Sequence, residues 1–192
     1  MARTNISVDQ HVFEEFSSQA QQQNKTLFAF ANESMTAISK ICAEGGSPSE
    51  LYSLWRSFSI LKQIDVITLP SEFVDELITK LYTADKDTLL RMFQNLGASL
   101  VGLLKIAAED LDKLSVIAKD FTSVIPLKQL KISKREENSV EVDIVGAGRR
   151  AESTECTFAF LKPILNGYGY SITKHEIGIG TIRIWAVKRG SI

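Results

Sequence analysis

Hydrophobic residues recur with helical spacing near the start of the chain. After Asp9, the residues Val12, Phe16 and Ala20 lie four apart, which places them on one face of a helix. A second apolar stripe begins after Thr26, and Asp and Thr are both residue types that cap helix N-termini. The polar segment "QQQNKT" separates the two stripes. The pattern therefore predicts two helices joined by a turn.

A short alternation of polar and apolar residues precedes the first helix. In a strand over residues 3–8, the even-numbered residues would face one way, and Arg3, Asn5 and Ser7 would face the other. No second strand is predicted nearby, and a strand's backbone groups need hydrogen-bond partners. About 40 residues also give too little core to fold alone. We expect a second copy of the chain to supply the pairing strand, which predicts a homodimer or a higher homo-oligomer.

The middle of the chain is predicted to be mainly helical. The segment "AEGGSPSE" interrupts the helical pattern at its start. Ser71 is the expected cap of a helix in which Phe73, Leu77 and Leu81 recur every four residues, and Asp110 is expected to start a later helix. We interpret these helices as core elements and as part of an oligomer interface.

The last third of the chain predicts strand, strand, helix, strand, strand. "LKQLKIS" and "VEVDIVG" alternate as a hairpin would, and "YSITKHEIG" and "TIRIWAVKR" form a second such pair. "STECTFAFLKPILNGYG" between them is helical, opened by Ser153 or Thr154. The predicted fold class is α+β, with a dimerising unit over 1–45, a helical middle over 46–124 and a small antiparallel ββαββ domain over 125–192.

The N-terminal residues carry a resemblance to a known family. "ISVDQHVFEEFSSQAQQQNKTLFAFANESMTAI" resembles the ribbon-helix-helix DNA-binding proteins, which are transcription regulators or the DNA-binding halves of antitoxins. The resemblance implies a two-stranded ribbon in the major groove, with base edges read by Arg3, Asn5 and Ser7. It also implies a phosphate contact at the N-terminus of the second helix, near Lys25 and Thr26. Arg suits guanine and Asn suits adenine in that groove.

The C-terminal residues carry a second resemblance. "ECTFAFLKPILNGYGYSITKHEIGIGTIRIWAVKR" is similar to the tail of vinyl-reductase-type, small-molecule-sensing domains. The cysteines that often accompany the final hairpin of those domains are absent here. The resemblance implies a ligand pocket or a dimer surface, and a small-molecule effector.

Composition narrows the functional classes. The formal net charge is −1, which excludes binding of nucleic acid by bulk charge alone. There is no apolar run of about 20 residues and no leader-like N-terminus, so we expect neither a membrane span nor a signal peptide. Two cysteines far apart in sequence favour a reducing compartment, so we expect a cytoplasmic protein. The two cysteines, Cys42 and Cys156, are expected to be buried hydrophobes. The two histidines have no close Cys or His neighbours, so no metal site or cofactor is predicted.

One segment imitates a nucleotide-binding motif. "VDIVGAGRRA" fits G-x-G-x-x-A, but a dinucleotide site requires this turn inside a parallel sheet. The remaining residues predict an antiparallel hairpin instead. We interpret the segment as a flexible strand exit with Arg149 and Arg150 exposed.

These observations favour sequence-specific DNA binding by a homodimeric transcription regulator. The alternatives are a protein-interaction or dimerisation module without DNA binding, and a small-molecule sensor acting through the C-terminal domain. No nucleophile–base pair supports an enzyme, because neither Cys156 nor His175 has a partner at a suitable spacing.

Overall fold

The computed structural model describes residues 5–63, 65–122, 127–136 and 138–190. The chain divides into two compact units, unit 1 (Met1–Tyr52) and unit 2 (Ser53–Ile192). The predicted domain boundaries near residues 45 and 124 stay predictions.

Unit 1 contains the two predicted helices. Helix α1 spans Gln10–Gln22 and helix α2 spans Leu27–Ala43. Thr26 caps α2, because its hydroxyl accepts a hydrogen bond from the backbone N–H of Ala29 at 3.2 Å. Asp9 has the extended backbone of a cap residue, but its side chain makes no capping hydrogen bond.

The strand predicted over residues 3–8 is not formed in residues 5–8, which are the part of it that the structure describes. Residues 5–9 have no regular secondary structure, and Arg3 and Thr4 lie outside the described residues. The physical reason is that a strand is defined by its pairing, and a single copy of the chain offers residues 5–9 no neighbouring strand.

Three further helices precede the sheet. Helix α3 spans Pro48–Gln63, α4 spans Ser71–Ala107 and α5 spans Leu111–Phe121. Asp110 caps α5 as predicted, accepting a hydrogen bond from the N–H of Lys113 at 2.8 Å. Ser71 is not a cap, since Pro70 occupies that position and Ser71 begins the helix. Helix α4 kinks at Asp85, whose backbone is non-helical and whose carboxylate accepts a hydrogen bond from the N–H of Thr88, so two helical stretches meet there.

Unit 2 contains a four-stranded antiparallel sheet with the order β1-β2-β4-β3. Strands β1 (Gln129–Glu136) and β2 (Ser139–Val145) form one hairpin, and β3 (Tyr170–Gly178) and β4 (Thr181–Lys188) form the other. Helix α6 (Ala151–Gly167) connects β2 to β3 and begins two residues before Ser153. The mixed α+β class with its ββαββ end is therefore observed.

One face of the sheet supplies the core of unit 2. Buried residues from β2, β4, α5 and α6 belong to a single apolar cluster, in which Ile184 is fully buried. The sheet residues of this cluster alternate along their strands: Val140, Val142, Ile144, Ile182, Ile184 and Ala186. Alternation turns the intervening residues, among them Asp143 and Arg183, to the opposite face.

Helix α4 packs against α6 through glycine. A Cβ atom at Gly97 would lie 2.1 Å from the carbonyl oxygen of Phe160, so only glycine permits this approach. At Gly102, further along the same helix, a Cβ atom would meet nothing within 4 Å. The close contact therefore lies at Gly97 alone of these two positions.

The two cysteines differ in their burial, and so do the two tryptophans. Cys42 is exposed on α2, whereas Cys156 is buried as expected. Trp55 is 65% exposed on α3, so it is not a core anchor of the single chain. Trp185 is half-buried on β4 beneath the ammonium group of Lys174, which lies 4.5 Å from its ring centroid.

Candidate functional site

The predicted DNA-reading residues lie just before helix α1. Asn5 and Ser7 are both exposed, and Arg3 lies outside the described residues. Ile6 and Val8, which alternate with them, are apolar yet 62% and 56% exposed. The polar and apolar sides of this segment are thus both open to solvent in the single chain.

The predicted phosphate-contacting residues lie in the turn between α1 and α2. Asn24 adopts the left-handed conformation with φ = 54°, and the N–H of Lys25 donates to the carbonyl oxygen of Ala20 at 2.9 Å. These features end α1 and set the start of α2 at Thr26. The N-terminus of a helix attracts anions through its dipole, so the turn is a suitable place for a phosphate contact.

Lys25 has an acidic partner in the single chain. Its ammonium group lies 2.5 Å from a carboxylate oxygen of Glu33 and 5.9 Å from the ring centroid of Phe30. Lys25 and Lys40 are the only basic residues among residues 5–52, which also contain six acidic residues. The described part of unit 1 is therefore acidic, and the sequence alone did not indicate that Glu33 would engage Lys25.

The helices of unit 1 leave most of their apolar side chains uncovered. Ala20 is the only buried residue in the described part of the unit. Phe16 and Phe30 contact each other with ring centroids 4.6 Å apart, which holds α1 against α2. Large apolar residues remain exposed along the unit: Ile6, Val8, Val12, Phe13, Leu27, Phe28 and Met35. This surface requires a cover that the unit itself does not provide.

Unit 2 has an open recess on the polar face of its sheet. The recess measures about 520 Å³ and is lined by side chains from all four strands, including Lys131, Asp143, Glu176 and Arg183. Arg183 donates to Asp143 across neighbouring strands at 2.6 Å. Lys131 is the register partner of Asp143, yet it has no ion pair among the described residues. The recess thus offers one unpaired ammonium group beside a fixed ion pair.

A buried carboxylate lies on the same face of the sheet. The side chain of Glu141 is 4% exposed and forms ion pairs with Arg135 and Arg183. Two cations around one buried anion compensate for its removal from water. This cluster holds strands β1, β2 and β4 together.

A second titratable cluster joins α4 to α6. Glu155 accepts hydrogen bonds from the hydroxyl of Tyr82 and from the ammonium group of Lys86. Partial burial and the hydrogen bond to Glu155 raise the pKa of Tyr82, and the hydrogen bond to Glu155 raises the pKa of Lys86. Partial burial acts to raise the pKa of Glu155, but the hydrogen bonds from Lys86 and Tyr82 lower it below its usual value. The directions of these pKa shifts show that the charged forms of Lys86 and Glu155 stabilise each other, so the cluster is suited to a structural role.

The segment that imitates a nucleotide-binding motif is a fixed structural loop. The sheet is antiparallel, which removes the parallel setting that a dinucleotide site requires. The N–H groups of Gly146 and Ala147 both donate to the carbonyl oxygen of Gly180, at 2.7 and 3.1 Å. The buried carboxylate of Asp75 accepts a hydrogen bond from the N–H of Arg149 at 3.3 Å. Arg149 and Arg150 are exposed as expected, but the predicted flexible strand exit is wrong.

Potential metal ligands do not cluster in the part of the chain that the structure describes. No three His, Cys, Asp or Glu side chains there are grouped as metal ligands would be. Burial raises the pKa of the Cys156 thiol to about 11, and the nearby Glu155 and Glu152 act in the same direction. The thiol is therefore protonated at neutral pH and is a poor nucleophile. His175 is exposed on β3, with its ring stacked on Phe158 at 4.4 Å.

None of the helices among the described residues combines the length and the apolar character that crossing a membrane requires.

Comparisons with known proteins show no family for this chain. No protein-family model matches it, and no curated protein sequence does. None of the comparisons supports the resemblance to ribbon-helix-helix proteins.

Two solved structures from the H-NOX family show a weak structural similarity to this chain. One is an Fe(II) unliganded H-NOX protein mutant from K. algicida, with 10% identity over 71% of this chain and 88% of that one, and a TM-score of 0.43. The other comes from work on heme distortion in the H-NOX family, with 12% identity over 74% of this chain and 89% of that one, and a TM-score of 0.45. Scores below 0.5 describe a loose similarity of arrangement, which transfers no function.

Proposed function

We propose that this protein is a homodimeric DNA-binding regulator whose N-terminal unit both dimerises and contacts DNA. The observation that carries the proposal is the uncovered apolar surface of unit 1, where Ala20 is the only buried residue among those described. A second copy would cover this surface, since Ile6 and Val8 of two chains can pair as neighbouring antiparallel strands. Such pairing buries the apolar side of the segment and turns Asn5 and Ser7 outward.

The outward residues have the chemistry of base readout. A two-stranded ribbon fits the major groove, where Arg3 would bond guanine and Asn5 would bond adenine. The turn at Lys25 and Thr26 would contact a phosphate beside the groove and set the register of the ribbon. Because the described part of unit 1 is acidic, we expect binding to be modest in strength and sensitive to salt.

The decisive experiment combines a solution mass with DNA selection. The purified full chain is measured by light scattering and then used to select from a pool of random-sequence duplex DNA at two salt concentrations. We expect a dimer that enriches one sequence related by two-fold symmetry. The variant carrying Arg3→Ala and Asn5→Ala should remain dimeric and lose the selected sequence.

Two outcomes would contradict this function. A monomer at high protein concentration would remove the paired ribbon. A dimer that enriches no sequence at either salt concentration would instead identify unit 1 as a dimerisation module without DNA binding. Lys188→Ala is a suitable control. This substitution removes one positive charge, as Arg3→Ala does, but Lys188 lies at the end of β4 in unit 2.

A second candidate function is small-molecule sensing through unit 2. The specific observation is the recess of about 520 Å³, in which Lys131 lacks an ion pair among the described residues. An ammonium group beside the Arg183–Asp143 pair suits a small anionic ligand such as a carboxylate or a phosphate. The recess does not fit a heme, because it is open and polar and neither histidine nor cysteine is among its lining residues.

Ligand binding is tested by thermal unfolding of the full chain with a panel of small carboxylates and phosphates, with hemin included. A ligand that binds only the folded state raises the melting temperature as its concentration rises. We expect the increase to vanish in Lys131→Ala and to persist in Lys162→Ala, a substitution on α6. No increase with any member of the panel would refute binding of these ligand classes.

A further inference from the structure

An exposed apolar strip runs along the first half of helix α4. Its residues are Phe73, Leu77 and Leu81, which are 49%, 40% and 53% exposed. They follow one another at intervals of four, so they lie on one face of the helix. We call this surface the α4 strip.

The α4 strip faces away from the core of unit 2. Asp75 and Tyr82 lie on the opposite side of the same helix, where Asp75 bonds the N–H of Arg149 and Tyr82 bonds Glu155 of α6. Those two contacts fix the inward side of this part of α4. Three large apolar side chains are therefore held in a row towards solvent by a firmly positioned helix.

Charged residues line one edge of the strip in a definite order. Glu72, Glu76 and Lys80 are all exposed, and none has an ion pair among the described residues. Along the strip, the two acidic residues lie at the N-terminal end and the lysine lies at the C-terminal end. In a parallel two-fold pair this edge would lie on opposite sides of the contact in the two copies, so its charges would not meet. An antiparallel pair brings the edge against its own copy and places each Lys80 between Glu72 and Glu76 of the partner.

We propose that the α4 strip is a second self-association surface, which packs antiparallel against the same strip of another copy of the chain. Leu77 lies at the centre of the strip and would meet Leu77 of the other copy at the two-fold axis. Phe73 would meet Leu81 at each end, since a two-fold contact pairs residues that lie symmetrically about its centre. The contact lies entirely in unit 2 and does not depend on DNA binding.

Cross-linking of the full chain tests the two-fold axis directly. In a Cys42→Ser background, which removes the exposed thiol, Leu77→Cys should form a disulfide-linked dimer under mild oxidation. Thr83→Cys is the matched control, because Thr83 is exposed on the same helix but lies off the strip. We expect Leu77→Cys to cross-link at least tenfold faster than Thr83→Cys.

Charge reversal tests the orientation. Lys80→Glu should slow the cross-linking of Leu77→Cys several-fold, and adding Glu72→Lys and Glu76→Lys should restore it. These residues are exposed, so circular dichroism should show an intact fold in every variant. Equal rates for Leu77→Cys and Thr83→Cys, or no effect of charge reversal, would overturn the proposal and leave the strip to a different protein partner.

Discussion

The two units of this chain differ sharply in how much apolar surface they cover by themselves. Unit 2 buries Ile184 completely within a cluster drawn from β2, β4, α5 and α6. In the described part of unit 1, by contrast, only Ala20 is buried, although both of its helices have apolar faces. Unit 2 therefore has a hydrophobic core of its own, whereas unit 1 has apolar helix faces that only another surface could bury.

The contrast also separates the two candidate functions. The exposed apolar surface of unit 1 can be covered by a second copy of the chain. That dimer would pair the two N-terminal segments as the ribbon proposed to bind DNA. Unit 2 already has a complete sheet, and its polar face presents a recess that suits a small anionic ligand. The two functions are compatible, since a regulator can bind DNA with one unit and an effector with the other.

The largest effect is expected from the core of unit 2. Ile184→Ala should lower the free energy of unfolding by about 2 to 5 kcal/mol, because it leaves a cavity in a fully buried site. Ile6→Ala should change the free energy of unfolding by less than about 0.5 kcal/mol in dilute, monomeric protein, because Ile6 is exposed. Urea unfolding at low protein concentration measures the free energy of unfolding of both variants. Equal losses would contradict the proposed difference in apolar burial between the two units.

High pH should destabilise unit 2 through its buried thiol. Burial raises the pKa of Cys156 to about 11 in the folded protein, above the value of 9.0 for a free thiol. The folded state therefore retains a proton that the unfolded state loses, so the stabilisation is complete below pH 9 and is lost as the pH rises towards 11. We expect this loss to reach about 2 to 3 kcal/mol.

The matched variant for this effect is Cys156→Ala. Its unfolding free energy, followed by circular dichroism from pH 8 to pH 11, should decline less steeply than that of the unmodified chain. Identical slopes would show that the thiol does not contribute to the pH dependence.

Close packing between α4 and α6 should make one glycine irreplaceable. Gly97→Ala should cost about 1 to 3 kcal/mol, since its Cβ atom would overlap the carbonyl oxygen of Phe160. Gly102→Ala, where a Cβ atom meets nothing within 4 Å, should stabilise α4 by about 0.5 to 1 kcal/mol. Opposite signs in thermal unfolding would support the α4–α6 contact, and a neutral Gly97→Ala would contradict it.

The smallest effect is expected in unit 1, at the ion pair between Lys25 and Glu33. Glu33→Gln should strengthen DNA binding and steepen its dependence on salt by about one unit of slope per protomer, because the freed Lys25 can contact a phosphate. Glu14→Gln is the control, since it removes the same charge on α1. Fluorescence anisotropy over a range of salt concentrations measures both, and parallel slopes for the two variants would exclude this role for Lys25.

Local patterns anticipated much of the fold. The cap residues Thr26 and Asp110, the turn between α1 and α2, and the two hairpins all depend on neighbours within a few residues. Where a distant contact decides the structure, the patterns failed. The loop after β2 was expected to be flexible, but Asp75 and Gly180 hold it from other elements.

The candidate site was anticipated less fully. Sequence reasoning named Arg3, Asn5, Ser7, Lys25 and Thr26. The structure describes the last four without testing their contact with DNA, and Arg3 lies outside the described residues. Sequence reasoning did not predict the ion pair between Lys25 and Glu33. The two residues are eight apart, and their contact depends on the direction in which the turn holds the side chain of Lys25. The C-terminal resemblance implied a ligand pocket or a dimer surface, but sequence reasoning named none of the residues that line the recess, which exists only once four strands lie side by side.

The sequence by itself determined the helices, the hairpins and their apolar faces, because these follow from spacing and from hydrogen bonds between near neighbours. Only the tertiary structure decided which apolar faces are covered. Burial depends on residues far apart in the chain, which is why the apolar faces of β2, β4 and α5 are buried while those of α1, α2 and the α4 strip remain exposed.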